Sequence, residues 1–109
     1  MSTVNPQATV TIANGATVSN AIDLGEMAIV GIQTPAALTS TAFTFQASSD
    51  NVTYAAVYKV DGTQYTMTVS TSRYHVVPPA DLAGIRWLKV VGGSAEGGDR
   101  VITVLARHV

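Results

Sequence analysis

Cysteine is absent from the 109 residues, which excludes a disulfide framework and points to a chain that folds in a reducing cytosol on the strength of its core. Charge is scarce as well, at 12% of residues against about 25% for an ordinary soluble domain. A monomer so poor in charge is colloidally weak, so a subunit of a larger assembly is expected. The formal net charge is −1, and the six basic residues, Lys59, Arg73, Arg86, Lys89, Arg100 and Arg107, form no run. That balance lacks the electrostatic footprint of a nucleic-acid-binding protein. No apolar stretch approaches the ~18 residues of a membrane span. The longest, Met27 to Ile32, is interrupted by Gly31 and bounded by Glu26 and Gln33, so no membrane partner is expected. The opening Met1-Ser2-Thr3-Val4-Asn5-Pro6 has neither the basic segment nor the apolar run of a cleavable signal.

Alternation is what the chain does have. Phe43, Phe45 and Ala47 fall on one phase of a period of two, and Thr44, Gln46 and Ser48 fall on the other. A strand with one buried face there meets the turn Ser49-Asp50-Asn51 and returns as a hairpin over 42–60. The same pattern marks 8–12, succeeded by Asn14-Gly15, a strong hairpin signal that predicts a return strand over 16–24. The unbroken apolar run 28–32 reads as a central strand covered on both faces. Asp61-Gly62 turns the chain into a strand that alternates Tyr65, Met67 and Val69, and another over 73–77 stops at Pro78-Pro79. One turn of helix is predicted over 79–84. Strands over 85–91 and 100–107 flank the glycine-rich loop 92–99.

Eight or nine short strands without an amphipathic helix predict a single all-β domain over 1–109, an antiparallel β-sandwich with the jelly roll as the expected arrangement. Residues 1–7 are expected to form an extended N-terminal arm. Val10, Ile12, Ile29, Ile32, Phe43, Phe45, Val57, Leu88, Val101 and Val104 are expected in or beside the core.

Chemistry is sparse. Asp23, Glu26, Asp50, Asp61, Asp81, Glu96 and Asp99 fall almost entirely at predicted turns, where a carboxylate serves the backbone geometry. His75 and His108 are too few for a zinc site without cysteine, and no Gly-x-Ser-x-Gly elbow is present. The loop 92–99 lacks the Lys-Ser/Thr of a phosphate-binding loop, leads into a strand, and carries Glu96 and Asp99, which repel phosphate. Asn51-Val52-Thr53 matches a glycosylation sequon by a pattern short enough to arise by chance. No spaced set of acids supplies the six to eight oxygens of a calcium site. The expectation is therefore no catalytic residue, metal or cofactor. Recognition of a partner is left to Trp87, on a strand apolar on both faces, and to Gly92, Gly93, Glu96, Gly97, Gly98 and Asp99 of a loop expected to be mobile and to order on contact.

Phe45-Gln46-Ala47-Ser48-Ser49-Asp50-Asn51-Val52-Thr53-Tyr54, with Arg86-Trp87-Leu88-Lys89-Val90-Val91 further along, resembles a pattern of discoidin-like carbohydrate-binding sandwiches, with Asn51 where glycine is usual. Over nearly its whole length the chain is similar to small virion proteins of tailed bacteriophages. The residues that carry this likeness are Ala8-Thr9-Val10-Thr11-Ile12-Ala13-Asn14-Gly15, Ala21-Ile22-Asp23-Leu24-Gly25 and Ile29-Val30-Gly31-Ile32-Gln33-Thr34-Pro35. That resemblance implies a non-enzymatic structural protein made in the host cytoplasm and placed on the capsid surface. There it would act as a cement or decoration protein holding major capsid protein subunits together, and would associate with copies of itself, as a trimer first of all. The other resemblance implies a carbohydrate-binding module of a tail fibre or baseplate.

Overall fold

In the computed structural model, residues 7–25 and 27–107 are described. The N-terminal arm expected over 1–7 therefore lies outside them apart from Gln7, as do Glu26 and His108.

Nine strands succeed one another: β1 (Gln7–Ile12), β2 (Ile22–Asp23), β3 (Ala28–Gln33), β4 (Ala42–Ser48), β5 (Ala55–Ala56), β6 (Met67–Thr68), β7 (Tyr74–Val76), β8 (Trp87–Gly92) and β9 (Arg100–Arg107). They form two antiparallel sheets, ordered β1-β9-β3-β7 and β2-β8-β4-β5, with β6 pairing β4 beside β5. The pairing is nested: β1 with β9, β2 with β8, β3 with β7, β4 with β5 and β6. Such a folded-over ribbon, whose outer strand pairs alternate between the two sheets, is the jelly roll.

Each strand sits where its pattern permits. In β4, Phe43 and Phe45 are fully buried and face Gly92 and Val90 of β8 across the ladder. In β9, Ile102, Val104 and Ala106 point inward, and Val10 of β1 sits opposite Ile102. The interior closes with Ile12, Ile29, Ile32, Leu88 and Leu82, the last delivered from the turn after Pro78-Pro79. Burial of such a side chain contributes about 1.5–3 kcal/mol each, so the inner faces carry the fold. Val57 is half-buried and packs against this core, beside it as expected.

Three expectations are corrected. Val101 is 50% exposed: it is three residues from Val104, so one regular strand cannot bury both, and Val104 takes the inner phase.

Asn14-Gly15 does turn the chain, with the Ala16 N–H on the Ala13 carbonyl at 2.9 Å and Gly15 at φ 82°. The segment after it is no hairpin partner of β1. The chain crosses to the opposite sheet, where β2 is only two residues long and pairs β8. Residue Asn20 takes the place of a ladder partner, its Oδ1 accepting from the Thr11 N–H at 2.8 Å.

Residues 79–84 form turns rather than a turn of helix, ended by Gly84 at φ 87°. The strand β3 also carries a register shift against β9 between Ile29 and Gly31. At Gly31 the ring of Tyr74 lies so close that a Cβ would fall 2.6 Å from it, the close approach that a strand glycine often marks.

Candidate functional site

The loop 92–99 is sewn down on both sides. The Glu96 side chain is fully buried. Its carboxylate accepts from the Thr39 N–H at 2.7 Å, the Ser40 N–H at 2.9 Å, the Ser40 hydroxyl at 2.6 Å and the Arg100 Nε at 3.0 Å. Its backbone bonds the other wall: the Glu96 N–H reaches the Ala16 carbonyl at 3.1 Å, and its carbonyl accepts from the Gly15 N–H at 2.7 Å. The Asp99 carboxylate accepts from the Asn14 N–H at 2.9 Å. Burial pushes the Glu96 carboxyl upward, but the Ser40 hydroxyl, the Thr39 N–H and Arg100 outweigh it and hold the group down at about 2. Burying a charge is tolerated here because each oxygen is matched by donors.

This knot decides where the residues expected to meet a partner lie. Gly92 and Glu96 are buried, and backbone groups of the loop expected to be mobile are bonded within the chain, Gly92 to Thr17 and Gly93 to Ala42 among them. Gly92 is close-packed too, since a Cβ there would overlap the Ser40 hydroxyl. Trp87, Gly93, Gly97, Gly98 and Asp99 retain surface. The loop residues gather at one end of the sandwich, while Trp87 stands on a sheet face among other neighbours. Glu96 was singled out as a partner contact and its buried role was missed, because an acid among glycines looks like a solvated turn. Its spacing of four from Arg100 was the available signal.

The two outer sheet faces differ. Register places Thr9, Thr11, Val101, Thr103, Leu105, Gln33, Tyr74 and Val76 together outside the β1-β9-β3-β7 sheet. None of them is Asp, Glu, Lys, Arg or His; Arg107, two residues beyond Leu105, borders the patch at the end of β9. Val76 is 78% exposed, Val101 50% and Tyr74 50%.

The outer face of the other sheet carries its charges on aromatic rings. Asp23 of β2, Trp87 of β8 and Ser48 of β4 lie abreast. Arg86 lies over the half-buried Trp87, its Cζ 4.1 Å from the ring centroid, and bridges to Asp23 with Nε 3.2 Å from Oδ1. That Arg86 contact, with the Gly25 N–H, lowers the Asp23 carboxyl. Two residues along, Lys89 sits abreast of Gln46 and holds its Nζ 4.2 Å from the centroid of Tyr54.

The turn that carries Tyr54 is built by Asp50. Its Oδ1 accepts from the Thr53 N–H at 3.0 Å, the Val52 N–H at 2.9 Å and the Ser48 hydroxyl at 2.8 Å, and these bonds lower its carboxyl to about 2. Asn51, at φ 60°, accepts a hydrogen bond from the Tyr54 hydroxyl. The Tyr65 hydroxyl donates to Asp81 at 2.9 Å, and burial together with that bond pushes it up to about 12. Among the described residues no three His, Asp or Glu side chains converge as metal ligands.

No protein-family model matches the chain, and no curated protein matches it in sequence. The chain is similar in fold to the crystal structure of the SPBc2 prophage-derived protein YomS. The TM-score is 0.55 at 18% sequence identity, with 98% of each chain covered.

Proposed function

We propose that this is a non-enzymatic structural protein of a phage particle that binds the outer capsid as a cement or decoration protein. The observation that carries the reading is the uncharged patch outside the β1-β9-β3-β7 sheet, with Val76, Val101 and Tyr74 exposed on it. Desolvating such a patch requires no ion to be stripped of water, so it suits a protein surface better than a charged ligand. The fold likeness to a prophage-derived protein supports the phage setting.

From strand spacing and rise, the patch covers on the order of 300 Å². A stable pairwise interface takes about 800 Å² per partner. One such contact is therefore weak, and a shell that presents the same contact many times supplies the avidity. The partners are major capsid protein subunits and neighbouring copies of this chain, with a trimer as the favoured oligomer. The site is the capsid surface.

Mass spectrometry of purified virions, with copy number counted against the major capsid protein, tests this. A copy number in proportion to capsid subunits is expected. Absence from the particle, or the few copies of a tail component, overturns it. For the patch itself, the double variant V76K/V101K should lose decoration at near-physiological salt while its melting curve is retained.

A further inference from the structure

We infer that the free edge of β1, with the apolar cleft beside it, accepts an extended segment of a partner protein as an added strand. The segment is uncharged there and seats one large aliphatic side chain in the cleft, opposite Ala8. This goes beyond the capsid reading and does not depend on it.

Among the described residues, β1 is the one long strand at a sheet edge: it has six residues, whereas the other edge strands, β2, β5, β6 and β7, have two or three. Short strands, charges and prolines are the usual protections of an edge. Gln7-Ala8-Thr9-Val10-Thr11-Ile12 has none of them. The direction of its backbone follows from Thr11, whose N–H turns away from β9 to reach Asn20 Oδ1. Successive residues of a strand direct their N–H and C=O groups to opposite sides, so those of Gln7 and Thr9 point out from the edge as well. Among the described residues no hydrogen bond meets them there.

The cleft lies where such a strand would place a side chain. Ala8, Ile22, Leu24, Met27, Val104 and Ala106 line it, between the start of β1 and the β2 segment of the opposite sheet. Ala8 shares the inner phase of Val10 and Ile12, yet those two are buried and Ala8 is exposed, so the sandwich is open at this seam. Further along, Asn20 closes the seam through Thr11. In an antiparallel addition the residues opposite Gln7 and Thr9 each exchange an N–H and a C=O bond with β1, and the residue between them points to the same face as Ala8. That face is the cleft.

Size and charge define the occupant. At about 200 Å³ the cleft falls below the roughly 300–1,000 Å³ of a small-molecule pocket, and it takes one aliphatic side chain. Its one charged lining residue, Asp23, is already paired with Arg86, so no counter-ion is required of the partner. Ile22 and Met27 are half-buried, and covering them adds apolar burial to the backbone bonds. Backbone pairing supplies affinity in this mode, and the side-chain pocket supplies specificity. Thr9 also faces the uncharged patch, and an added strand extends that surface toward the area a stable interface needs.

The probe is the capped pentapeptide Thr-Thr-Leu-Thr-Thr, titrated into the full-length protein and followed by amide chemical shifts. Saturable shifts are expected at Gln7, Ala8, Thr9 and Ile22 at millimolar or lower concentration, and aspartate in place of the peptide's leucine should weaken binding about tenfold or more. Ala8→Leu, which fills the cleft from within, should abolish binding. Thr9→Pro should do the same while the protein stays folded, since the N–H it removes serves no ladder bond. Val60→Ser, between β5 and β6 at the far edge of the other sheet, should leave binding unchanged. Circular dichroism and melting curves establish that each variant folds. Absence of saturable shifts overturns the inference, as does equal binding of the two peptides or binding that Ala8→Leu and Thr9→Pro leave intact. A wild-type dimer that Thr9→Pro dissolves in sedimentation would assign the edge to a second copy, and binding seen only after deletion of residues 1–6 would assign it to this chain's own start; either result overturns it too. Decoration by V76K/V101K is measured separately, and that variant keeps the β1 edge, so the capsid reading and this one can each fail alone.

Discussion

The glycine-rich loop 92–99 and the excursion from Val57 to Tyr65, which turns at Asp61-Gly62, are treated by the structure in opposite ways. The loop has four glycines in eight residues and is held by a buried carboxylate with four donors. The excursion has a single glycine, Gly62, and a hairpin-like closure, with the Lys59 N–H on the Thr63 carbonyl at 2.7 Å and Asp61 capping the Thr63 N–H. Yet it projects Tyr58, 60% exposed, and Val60, fully open to solvent. Glycine content describes what a backbone is free to do; whether it stays free depends on what its polar groups meet.

The largest effect expected from this contrast is on stability. Glu96→Ala leaves the buried Ser40 N–H, the Thr39 N–H and the largely buried Arg100 side chain without their acceptor, and should cost about 3–5 kcal/mol in urea unfolding. A loss under about 1 kcal/mol would mean that the knot contributes no more than an ordinary surface bond.

Acid should act on the same group. The folded Glu96 carboxyl is held at about 2 against an ordinary value of 4.5. A depressed carboxylate contributes stability that is fully present above the unfolded value and is lost as pH falls through the folded one. The stability gap between wild type and Glu96→Gln should therefore be constant above about pH 5 and close between pH 4.5 and 2. A gap independent of pH in denaturant titrations would place the carboxylate's worth in packing alone.

Smaller in turn is Gly92→Ala, where the new methyl meets the Ser40 hydroxyl. Overpacking of this kind costs about 1–3 kcal/mol, and it couples to Glu96 because Ser40 is the partner of both. The combination with Glu96→Gln should be less than additive. Full additivity in a double-mutant cycle would separate the two sites.

The excursion should show the smallest response. Val60→Ser should alter stability by no more than about 0.5 kcal/mol. Hydrogen exchange sharpens the contrast: the Gly92, Gly93 and Glu96 amides, all bonded to carbonyls, should be protected, while those of Val60 and Asp61 exchange rapidly. Equal exchange in the two segments would erase the difference between them.

Several elements were legible before folding. The strand from Phe43, the run from Ala28 and the halt at Pro78-Pro79 each depend on a pattern contained within a few residues, and β4, β3 and β7 lie where those patterns put them. The Asn14-Gly15 turn was legible as a turn, but its partner was not, because the Gly15 N–H is claimed by Glu96 far along the chain. Val101 was misplaced because apolar residues occupy both phases of β9, and only the pairing of Thr11 with Val101 tells which phase faces out. Of the candidate surfaces, Trp87 was singled out, but the Asp23 and Ser48 that flank it across the ladder come from two other strands, and only the pairing of β2 and β4 with β8 brings them to it.

By itself the sequence determined an all-β chain of short strands with apolar inner faces and little charge outside. Alternation, turn residues and composition are local properties, so no folding is needed to read them. The tertiary structure alone decided that Glu96 is buried, that one sheet face carries an uncharged patch, and that Trp87 and Tyr54 share the other. Those outcomes depend on register between distant segments, as when Asn14 meets Asp99 across 85 residues of chain. A shift of one residue in any of these strand pairings would exchange inner and outer faces.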